Sequence, residues 1–249
     1  MSSNIPRSHP RYESLMMRER LASGFHKGFV HETGLIAHGR GEAFDYLLGE
    51  ETLPVADRAS KAAAAMLLLA EHPVISVNGN VVALVAEEVV DLANRIPAKI
   101  EVNLFHRTSD RVHRLVSRME EAGGKGVLGR NADARIDGLG HDRGWCEKKG
   151  IFESDVVLVP LEDGDRCQAL RDMGKTVITI DLNPLSRTAK TADVTLVDNV
   201  VRSVPRISFW IDKLKAKSEC DLLKLRDEWD NSSGLDMVLK NICSRFQKD

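Results

Sequence analysis

Short runs rich in Val, Ile and Leu recur through the middle of the chain, and they constrain the fold more than any other feature. The runs are Pro73–Val77, Lys99–Val102, Asp155–Leu161, Thr176–Ile180 and Asp193–Val197. Continuous apolar runs of this length are typical of strands buried on both faces, as in a parallel sheet covered by helices. Because helical stretches alternate with the runs, we predict right-handed crossovers and an α/β fold.

Each run ends at polar or charged residues, and these ends mark a candidate site. The clusters are Asn78-Gly79-Asn80, Asn103, Glu162–Arg166, Asp181-Leu182-Asn183 and Asp198-Asn199. In parallel sheets, ligands bind outside the carboxyl ends of the strands. Asn, Asp and Gly also begin ordinary loops, which is the simpler interpretation of any one cluster. Five clusters at one edge favour a single shared polar site.

The rest of the sequence is predicted to be largely helical. The first helix begins at Ser8-His9-Pro10 and ends near Ser23, and Gly34–Gly49 starts as a loop that becomes helical at Glu42–Leu48. The other predicted helices are Asp57–His72, Val82–Arg95, Asp110–Ala122, Asp165–Met173 and Val201–Lys215. We expect one domain, residues 1–249. Its helical N-terminal part (1–72) folds over the ligand edge of the core (73–215), and its charged helical tail (216–249) forms a peripheral pair or a dimer contact.

Composition argues against several functional classes. A net charge of −2 gives no electrostatic case for a nucleic acid or a membrane surface. The longest apolar run, Ala62–Ala70, is too short to span a bilayer, and the first residues lack the apolar segment of a signal peptide. The four cysteines are scattered, and neither they nor the histidines have metal-ligand spacing. We expect a cytoplasmic protein without a zinc-type site, and we assign no residue as a metal ligand.

Two glycine motifs are excluded as nucleotide signatures by their context. Gly124–Gly129 formally matches G-x-G-x-x-G, but it follows a predicted helix and leads toward a strand, the reverse of the dinucleotide-binding order. Gly174-Lys175-Thr176 resembles the end of a P-loop, but it precedes a strand. No Ser-His-Asp, Cys-His or paired-carboxylate signature of a hydrolase stands out either. An enzyme of this sequence would therefore work by positioning charged reactants.

The segment Asp181–Thr188 has the residue types of a nucleotide site. The carboxylate of Asp181 and the amide of Asn183 can hydrogen-bond a ribose or a purine edge, and Arg187 offers a planar cation for phosphate oxygens. The alternative is an Asp/Asn-Pro turn beside a surface arginine. Asp198-Asn199 repeats the polar theme after the next strand, which favours the nucleotide interpretation.

A second candidate phosphate site lies near the N-terminus, in His38-Gly39-Arg40-Gly41-Glu42. Glycines allow a ligand to approach the backbone closely, and the start of the following helix favours anions. The alternative is a capped loop, but Arg40 favours phosphate binding. Arg18, on the first helix, fits either a ligand contact or a solvated surface.

The acidic segment after the third run suits a cation. Glu162, Asp163 and Asp165 fit Mg²⁺ or the ammonium group of an amine substrate. The alternative is a helix N-cap, a role that Asp165 fits well. The stretches Asn78–Asn80 and Asn103–Arg107 are candidates for holding a small polar or phosphorylated substrate.

Long stretches of the chain resemble one known family. They are Ile5–Tyr12, Gly34–Gly49, Pro73–Asn80, Val157–Arg166 and Ile180–Thr188. On these stretches the chain is similar to the archaeal 4-phosphopantoate–β-alanine ligases, also called phosphopantothenate synthetases, from about Asn4 to Lys215. One departure is Cys167-Gln168, where the family pattern leads us to expect Thr-Glu.

The resemblance implies a function, a fold and a site. Family members join 4-phosphopantoate to β-alanine with ATP, releasing AMP and diphosphate in coenzyme A synthesis, and they are Rossmann-like homodimers. The resemblance implies an ATP site formed by Arg18, Arg40, Asp181, Leu182, Asn183, Arg187, Thr188, Asp198 and Asn199.

The expected mechanism passes through an acyl-adenylate formed on Mg-ATP. Arg40 and Arg187 would stabilise charge on the phosphate oxygens, and His38 would deprotonate β-alanine, with Asp165 or Glu162 in reserve. The predicted substrate-binding residues are Asn78, Asn80, Asn103, Arg107, Glu162, Asp163 and Asp165, and Arg107 and Arg143 are candidates for the substrate phosphate. Two alternatives stay open: a nucleotide-binding regulatory module, and a ligase that forms an acyl phosphate and ADP.

Overall fold

The five apolar runs form one parallel sheet, as predicted. A computed structural model describes residues 5–246. The strands of the described residues are β1 (Val74–Val77), β2 (Lys99–Val102), β3 (Ala134–Arg135), β4 (Trp145–Cys146), β5 (Val156–Pro160), β6 (Thr176–Ile180) and β7 (Val194–Leu196). The main sheet has the order β2-β1-β5-β6-β7 with all neighbours parallel, whereas β3 and β4 pair antiparallel outside it. The predicted α/β fold is confirmed.

Helices cover the sheet and form both terminal segments, also as predicted. The helices are α1 (Tyr12–His26), α2 (Glu32–Leu48), α3 (Pro54–Leu69), α4 (Gly79–Arg95), α5 (Ser109–Glu121), α6 (Gly164–Asp172), α7 (Arg187–Thr191), α8 (Val200–Leu214), α9 (Glu219–Asp227) and α10 (Asn231–Arg245). Among the described residues, no helix combines the length and apolarity that a bilayer crossing needs.

Both faces of the sheet are buried, which explains why its strands have continuous apolar sequences. Leu158 of β5 faces the larger apolar cluster, which α3, α4 and α8 complete. Its neighbours Val157 and Val159 face a smaller cluster that includes Leu170 of α6 and Ile151. Successive side chains of a strand point to opposite faces, so a strand covered on both sides needs apolar residues at every position.

The strand order creates a crevice at the carboxyl edge of the sheet. From β1 the chain crosses to β2 on one side, and it later returns to β5 on the other side of β1. Connections leave β1 and β5 in opposite directions at this point, and ligands of open parallel sheets bind in the resulting gap. Helix α2 lies over this edge, because His38, Arg40 and Phe44 line the same cavity as residues that follow β5 and β6.

The prediction of a loop before Glu42 is wrong, because α2 is helical from Glu32 onward. His31 caps the helix by accepting the Thr33 N–H at its Nδ1, and Gly49 ends it with a φ of +96°. Gly34 allows a close approach, since a Cβ there would lie 2.5 Å from Oδ1 of Asn80. Tertiary packing therefore outweighs the low helix propensity of the glycines, about 1 kcal/mol each.

The C-terminal tail is helical, as expected, but it packs into the molecule and is not peripheral. Leu235 and Val238 of α10 join Leu48 and Leu182 in an apolar cluster under the sheet edge. Asn231 continues the hydrogen bonding of the edge strand β7, because its Oδ1 accepts the Thr195 N–H at 2.8 Å. The tail thus helps to cover β7, the strand that precedes the candidate site residues Asp198 and Asn199.

Two buried carboxylates hold the irregular segment that precedes β5. Glu101 of β2 accepts the backbone N–H groups of Glu147 (2.8 Å) and Ile151 (2.7 Å). Glu147 in turn accepts the N–H of Gly129 at 2.6 Å. Burial raises the pKa of Glu101 to about 7, although both backbone hydrogen bonds favour its ionised form. The segment Gly124–Gly129 follows α5, and its residue Leu128 forms a parallel bridge with Glu101 of β2. Because the segment follows a helix and joins a strand, it is not a dinucleotide-binding fingerprint.

Candidate active site

A cavity of about 660 Å³ runs along the carboxyl edge of the sheet. Residues of α2 line one side of it, and polar residues that follow all five strands of the main sheet stand in its wall. We call its two ends the β6 arm and the β1 arm. The β6 arm is lined by Arg40, Phe44, Asp181, Leu182, Asn183, Ser186, Arg187, Thr188 and Asn199, and the β1 arm by His31, Asn78, Asn80, Leu84, Leu104, Phe105, His106 and Arg111. A central group of lining residues lies between the two arms, because β5 stands between β1 and β6 in the sheet. It consists of His38, Arg143, Leu161, Glu162 and Asp163.

The turn after β6 is held by its own side chains. Asp181 accepts the Asn183 N–H at 2.9 Å and the Ser186 hydroxyl at 2.5 Å, and Ser186 caps α7 by accepting the Ala189 N–H. Burial raises the pKa of Asp181, while these hydrogen bonds and the charge of Arg40 oppose the rise. The turn therefore presents a fixed polar rim to the β6 arm.

Cations and apolar surface meet in the β6 arm. Arg40 lines it from α2 and makes no ion pair within the described residues, whereas Arg187 approaches Asp165 only at 3.8 Å. Phe44 and Leu182 supply apolar surface beside them. Free guanidinium groups next to apolar walls suit a ligand with a planar base and phosphates.

Asp198 and Asn199 differ in their placement. Asn199 lines the cavity, but its Nδ2 donates to Asp45 at 2.9 Å. Asp198 is buried behind it, where it accepts hydrogen bonds from Thr52 (2.6 Å) and Arg202 (2.7 Å). Arg202 also pairs with Asp45 of α2, so this network fixes α2 to the start of α8. The structure thus gives Asp198 a supporting place behind the cavity wall.

A buried ion cluster forms the centre of the cavity. Glu162, whose side chain is 1% exposed, pairs with Arg143 at 3.1 Å and also with Arg166, which is fully buried. Arg143 pairs in addition with Asp163 at 3.0 Å. Because two arginines compensate Glu162, it is a poor acceptor for a further proton and a poor ligand for a further cation.

His38 is the group between the arms with an unused polar atom. It projects from α2, and its Nε2 is buried without a hydrogen-bond partner. Burial lowers the pKa of His38, the charge of Arg18 adds to this effect, and Glu42 opposes it. A histidine kept neutral near pH 7 with a free nitrogen is suited to accept a proton from a ligand.

The predicted residues after β1 line the cavity, but their side chains hold the protein together. Asn78 caps α4 by accepting the N–H groups of Asn80 and Val81, and its Nδ2 donates to the carbonyl groups of Pro160 and Leu161. The Nδ2 of Asn80 donates to the Gly34 carbonyl at 2.8 Å, which ties α4 to α2. These amides shape the cavity more than they offer free hydrogen-bonding groups.

Four other predicted site residues do not line the cavity. Asn103 is fully buried and donates to the carbonyl groups of Arg143 and Trp145. Arg107 donates to the Gly129 carbonyl at 2.6 Å. Asp165 pairs with His141 at 2.9 Å, and Arg18 pairs with Glu42 at 2.7 Å.

Burial disfavours the charged form of Glu42, yet hydrogen bonds from Arg18 and Ser14 lower its pKa to about 2. Glu42 therefore holds Arg18 against α2, close enough for the charge of Arg18 to influence His38. The structure therefore places Arg18 outside the cavity lining, with 49% of its side chain exposed.

Sequence reasoning missed the cationic end of the β1 arm. Arg111, His31 and His106 line it, and the rings of His31 and His106 stack with centroids 3.9 Å apart. These residues come from α5, from the residue before α2 and from the loop after β2, so no local motif joins them. The helical spacing of α5 alone makes Arg111 look like an ordinary surface residue.

The described residues contain no group of three or more His, Cys, Asp or Glu side chains that could hold a metal ion. The acidic segment after β5 is engaged by Arg143, Arg166 and His141. Only Asp163 and Asp165 keep substantial exposure, 44% and 45% of their side chains. These two carboxylates fit a cation that arrives already bound to phosphate, because each leaves oxygen lone pairs free.

Thiol chemistry has little support in this cavity. All four cysteines are free, and Cys220 and Cys243 are exposed on the tail helices. Burial raises the pKa of both Cys146 and Cys167 to about 12. A buried thiol that stays protonated is a poor nucleophile.

These features define an α/β protein with a cavity at its sheet edge whose arginines suit anionic ligands. The sequence model of the phosphopantothenate/pantothenate synthetase family matches residues 55–245. The chain therefore belongs to this family.

Curated relatives agree with the family match over nearly the whole chain. Proteins named 4-phosphopantoate–β-alanine ligase from Thermococcus kodakarensis and Thermococcus onnurineus are each 53% identical to it, and each alignment covers 98% of this chain and 94% of the relative. The protein of that name from Methanosarcina mazei is 52% identical over 96% of this chain and 94% of its own length.

Proposed function

We propose that this protein condenses 4-phosphopantoate with β-alanine at the expense of ATP, giving 4′-phosphopantothenate for coenzyme A synthesis. Family membership and relatives above 50% identity support this reaction. The structural observation that carries the proposal is the cavity itself, which has separate cationic groups at its two ends. Two anionic reactants, a nucleotide and a phosphorylated acid, need such an arrangement.

ATP is assigned to the β6 arm. Asp181, Asn183 and Asn199 line it with polar groups for the nucleoside, and Phe44 and Leu182 provide apolar surface for the base. Arg40 makes no ion pair within the described residues and Arg187 makes only a long one with Asp165, so both guanidinium groups can contact phosphate oxygens. Thr188 is fixed by donating to the Glu162 carbonyl at 2.8 Å.

The first chemical step is attack of the substrate carboxylate on the α-phosphorus of ATP. Diphosphate leaves, and an acyl-adenylate forms. Charge builds on phosphate oxygens in this step, and guanidinium groups that contact these oxygens stabilise it. Arg40 and Arg187 are assigned this role, whereas Arg18, which pairs with Glu42 and does not line the cavity, is assigned no phosphate contact.

The second step is attack of the β-alanine amine on the acyl carbon. The ammonium form must first lose a proton, and the neutral Nε2 of His38 is assigned as its acceptor. The reserve candidates are less suitable. Glu162 is held by two arginines, and His141 lowers the pKa of Asp165 against the opposing effect of burial. AMP leaves with one oxygen of the original carboxylate.

Magnesium is proposed to enter as the ATP complex, with Asp163 and Asp165 as the most exposed carboxylates of the acidic segment after β5. Bound there, it would neutralise phosphate charge. We also propose that the protein acts in the cytoplasm, where its free thiols would stay reduced.

The active form is proposed to be a homodimer, the state that the family resemblance implies. Ile36 and Tyr46 of α2, 73% and 61% exposed, are candidate contact residues. Sedimentation equilibrium of the wild type and of Ile36→Glu tests this assignment. A monomeric wild type would contradict it.

A nucleotide-product assay tests the reaction. The protein is incubated with Mg-ATP, 4-phosphopantoate and β-alanine, and AMP is resolved from ADP. AMP that forms only when both substrates are present is the expected result. ADP would replace the adenylate by an acyl phosphate. ATP binding without turnover would point to a regulatory module.

A further inference from the structure

Arg111 is an uncompensated cation in the wall of the β1 arm. Its Nε and Nη2 donate to the Phe29 carbonyl at 3.3 and 2.9 Å, and its Nη1 donates to the His106 carbonyl at 2.8 Å. Three hydrogen bonds leave part of its five N–H groups free. No carboxylate lies within ion-pair distance of Arg111 in the described residues, whereas Arg143, deeper in the cavity, is paired with Glu162 and Asp163.

The stacked pair His31–His106 adds further donors beside Arg111. The N-cap of α2 determines how His31 is protonated: Nδ1 accepts the Thr33 N–H, so Nε2 carries the ring proton. Burial lowers the pKa of His31, and the charges of His106 and Arg111 lower it further. Three nitrogen-rich side chains thus lie within electrostatic reach of one another, an arrangement that an anion stabilises.

Apolar residues separate this cationic group from the centre of the cavity. Leu104 follows β2, Leu161 follows β5, and β1 lies between these strands. Leu84 of α4 lines the same space. Leu161 has a φ of +57°, a conformation that costs about 1 kcal/mol for a residue with a side chain and that is common at functional sites.

The proposed substrate has matching chemistry along its length. A carboxylate stands at one end, a phosphate monoester at the other, and a carbon bearing two methyl groups lies between them. The carboxylate must reach the α-phosphorus of the nucleotide in the β6 arm, so the phosphate points the other way, toward β2. Two strand spacings, about 10 Å, separate β5 from β2 along the edge.

From this geometry we infer that Arg111, together with His31 and His106, forms the subsite for the phosphate monoester of the acid substrate and selects it over the unphosphorylated acid. The inference rests on the proposed function for the identity of that acid. It replaces Arg107, which is turned to the Gly129 carbonyl, and Arg143, which is neutralised by its own carboxylates. The leucines Leu84, Leu104 and Leu161 then face the two methyl groups.

Isothermal titration with 4-phosphopantoate and with pantoate tests the subsite without requiring turnover. Arg111→Gln is expected to weaken binding of 4-phosphopantoate about 30- to 100-fold, since charge-assisted hydrogen bonds are lost, and to leave pantoate and ATP binding within about twofold. Arg114→Gln is the matched control, because Arg114 lies on the same helix and pairs with Asp110 at the surface. It should bind both acids as the wild type does.

Two milder variants protect the test against misfolding. His106→Gln alters an exposed side chain, and His31→Ser keeps an N-capping group while removing the ring. Each is expected to weaken 4-phosphopantoate binding about 5- to 20-fold and to leave pantoate binding unchanged.

The outcomes separate this inference from the proposed function. If the wild type turns over and Arg111→Gln and both histidine variants bind 4-phosphopantoate as the wild type does, the subsite is overturned. The proposed reaction is then unaffected. Equal losses for pantoate and 4-phosphopantoate would also overturn it, since the effect would not depend on the phosphate. A wild type that neither binds nor converts 4-phosphopantoate would overturn both.

Discussion

At the scale of single residues, surroundings decide which polar groups remain available for chemistry. Glu162 and His38 both line the cavity, but the carboxylate is held by two arginines while the imidazole keeps an unpaired Nε2. Residue type alone made both of them candidate bases. The packing of Arg166 into the core, where it pairs with Glu162 and contacts Ser76 of β1, and the ion pair from Arg143 together show that Glu162 is already neutralised.

We predict that His38→Gln slows amide formation more than adenylate formation. The loss of a general base should reduce the second step about 100-fold and the first step less than threefold. Pyrophosphate release in a single turnover reports the first step, and AMP release with β-alanine reports the second. Arg40→Gln is the contrasting variant and should slow the first step. Equal losses of both steps in His38→Gln would remove its role as a base.

Glu101 should make stability depend on pH in a window of its own. Burial raises its pKa from an ordinary value of 4.5 to about 7 in the folded protein. The folded state therefore keeps this proton up to about pH 7, while the unfolded chain releases it near pH 4.5. The contribution of Glu101 to the free energy of unfolding is fully present below pH 4.5. It decreases by about 3 kcal/mol as the pH rises through 7.

Urea unfolding at a series of pH values measures this effect as the difference between the wild type and Glu101→Gln. The difference should change between pH 4.5 and 7. Glu120→Gln is the control, because the Arg130 hydrogen bond lowers the pKa of Glu120 and moves its effect to more acidic pH. If the difference in the free energy of unfolding between the wild type and Glu101→Gln is constant from pH 4.5 to 7, the assignment is contradicted.

At the scale of elements, tertiary contacts decide structure where local propensity points elsewhere. Gly34, Gly39 and Gly41 made the start of α2 read as a loop, yet the helix is continuous through all three. The reason lies in α4, whose Asn80 approaches Gly34 and whose position the local sequence of α2 does not encode. The strands, by contrast, were predictable within a residue or two, because burial on both faces leaves a continuous apolar run.

Two glycine variants in the same helix should have opposite effects on stability. A Cβ at Gly39 meets no atom within 4 Å, so Gly39→Ala should stabilise the protein by about 0.5–1 kcal/mol. A Cβ at Gly34 would lie 2.5 Å from the Asn80 amide, so Gly34→Ala should destabilise it by about 1–3 kcal/mol. Thermal unfolding measures both. Destabilisation by Gly39→Ala would mean that α2 is not helical there.

Asn231 should be the residue by which the tail stabilises the edge strand. Its side chain accepts the Thr195 N–H and donates to the carbonyl groups of Ala189 and Ala192. Asn231→Ala leaves these groups unpaired and should cost about 2 kcal/mol in the free energy of unfolding. Ser232→Ala, at the exposed neighbouring position, should cost less than about 0.5 kcal/mol. Equal effects of the two variants would contradict a specific role for Asn231.

At the scale of the whole molecule, one sheet edge brings the candidate site residues together. The location of the site was predictable, because every strand of a parallel sheet ends at the same edge and polar residues follow each run. The far end of the cavity was not predictable, since His31, His106 and Arg111 come from separate elements and meet only after folding. Asn103 and Asp198 show the converse: both have the right residue type, yet both are buried behind the cavity wall.

In the proposed reaction, the carboxylate of 4-phosphopantoate attacks the α-phosphorus of ATP. This attack is tested most directly with 4-phosphopantoate labelled with ¹⁸O in its carboxylate. After one round of reaction with β-alanine, the phosphorus resonances of AMP and of inorganic phosphate are recorded. We predict that one ¹⁸O atom appears in AMP. Label in inorganic phosphate, with AMP unlabelled or absent, would contradict it and indicate an acyl phosphate.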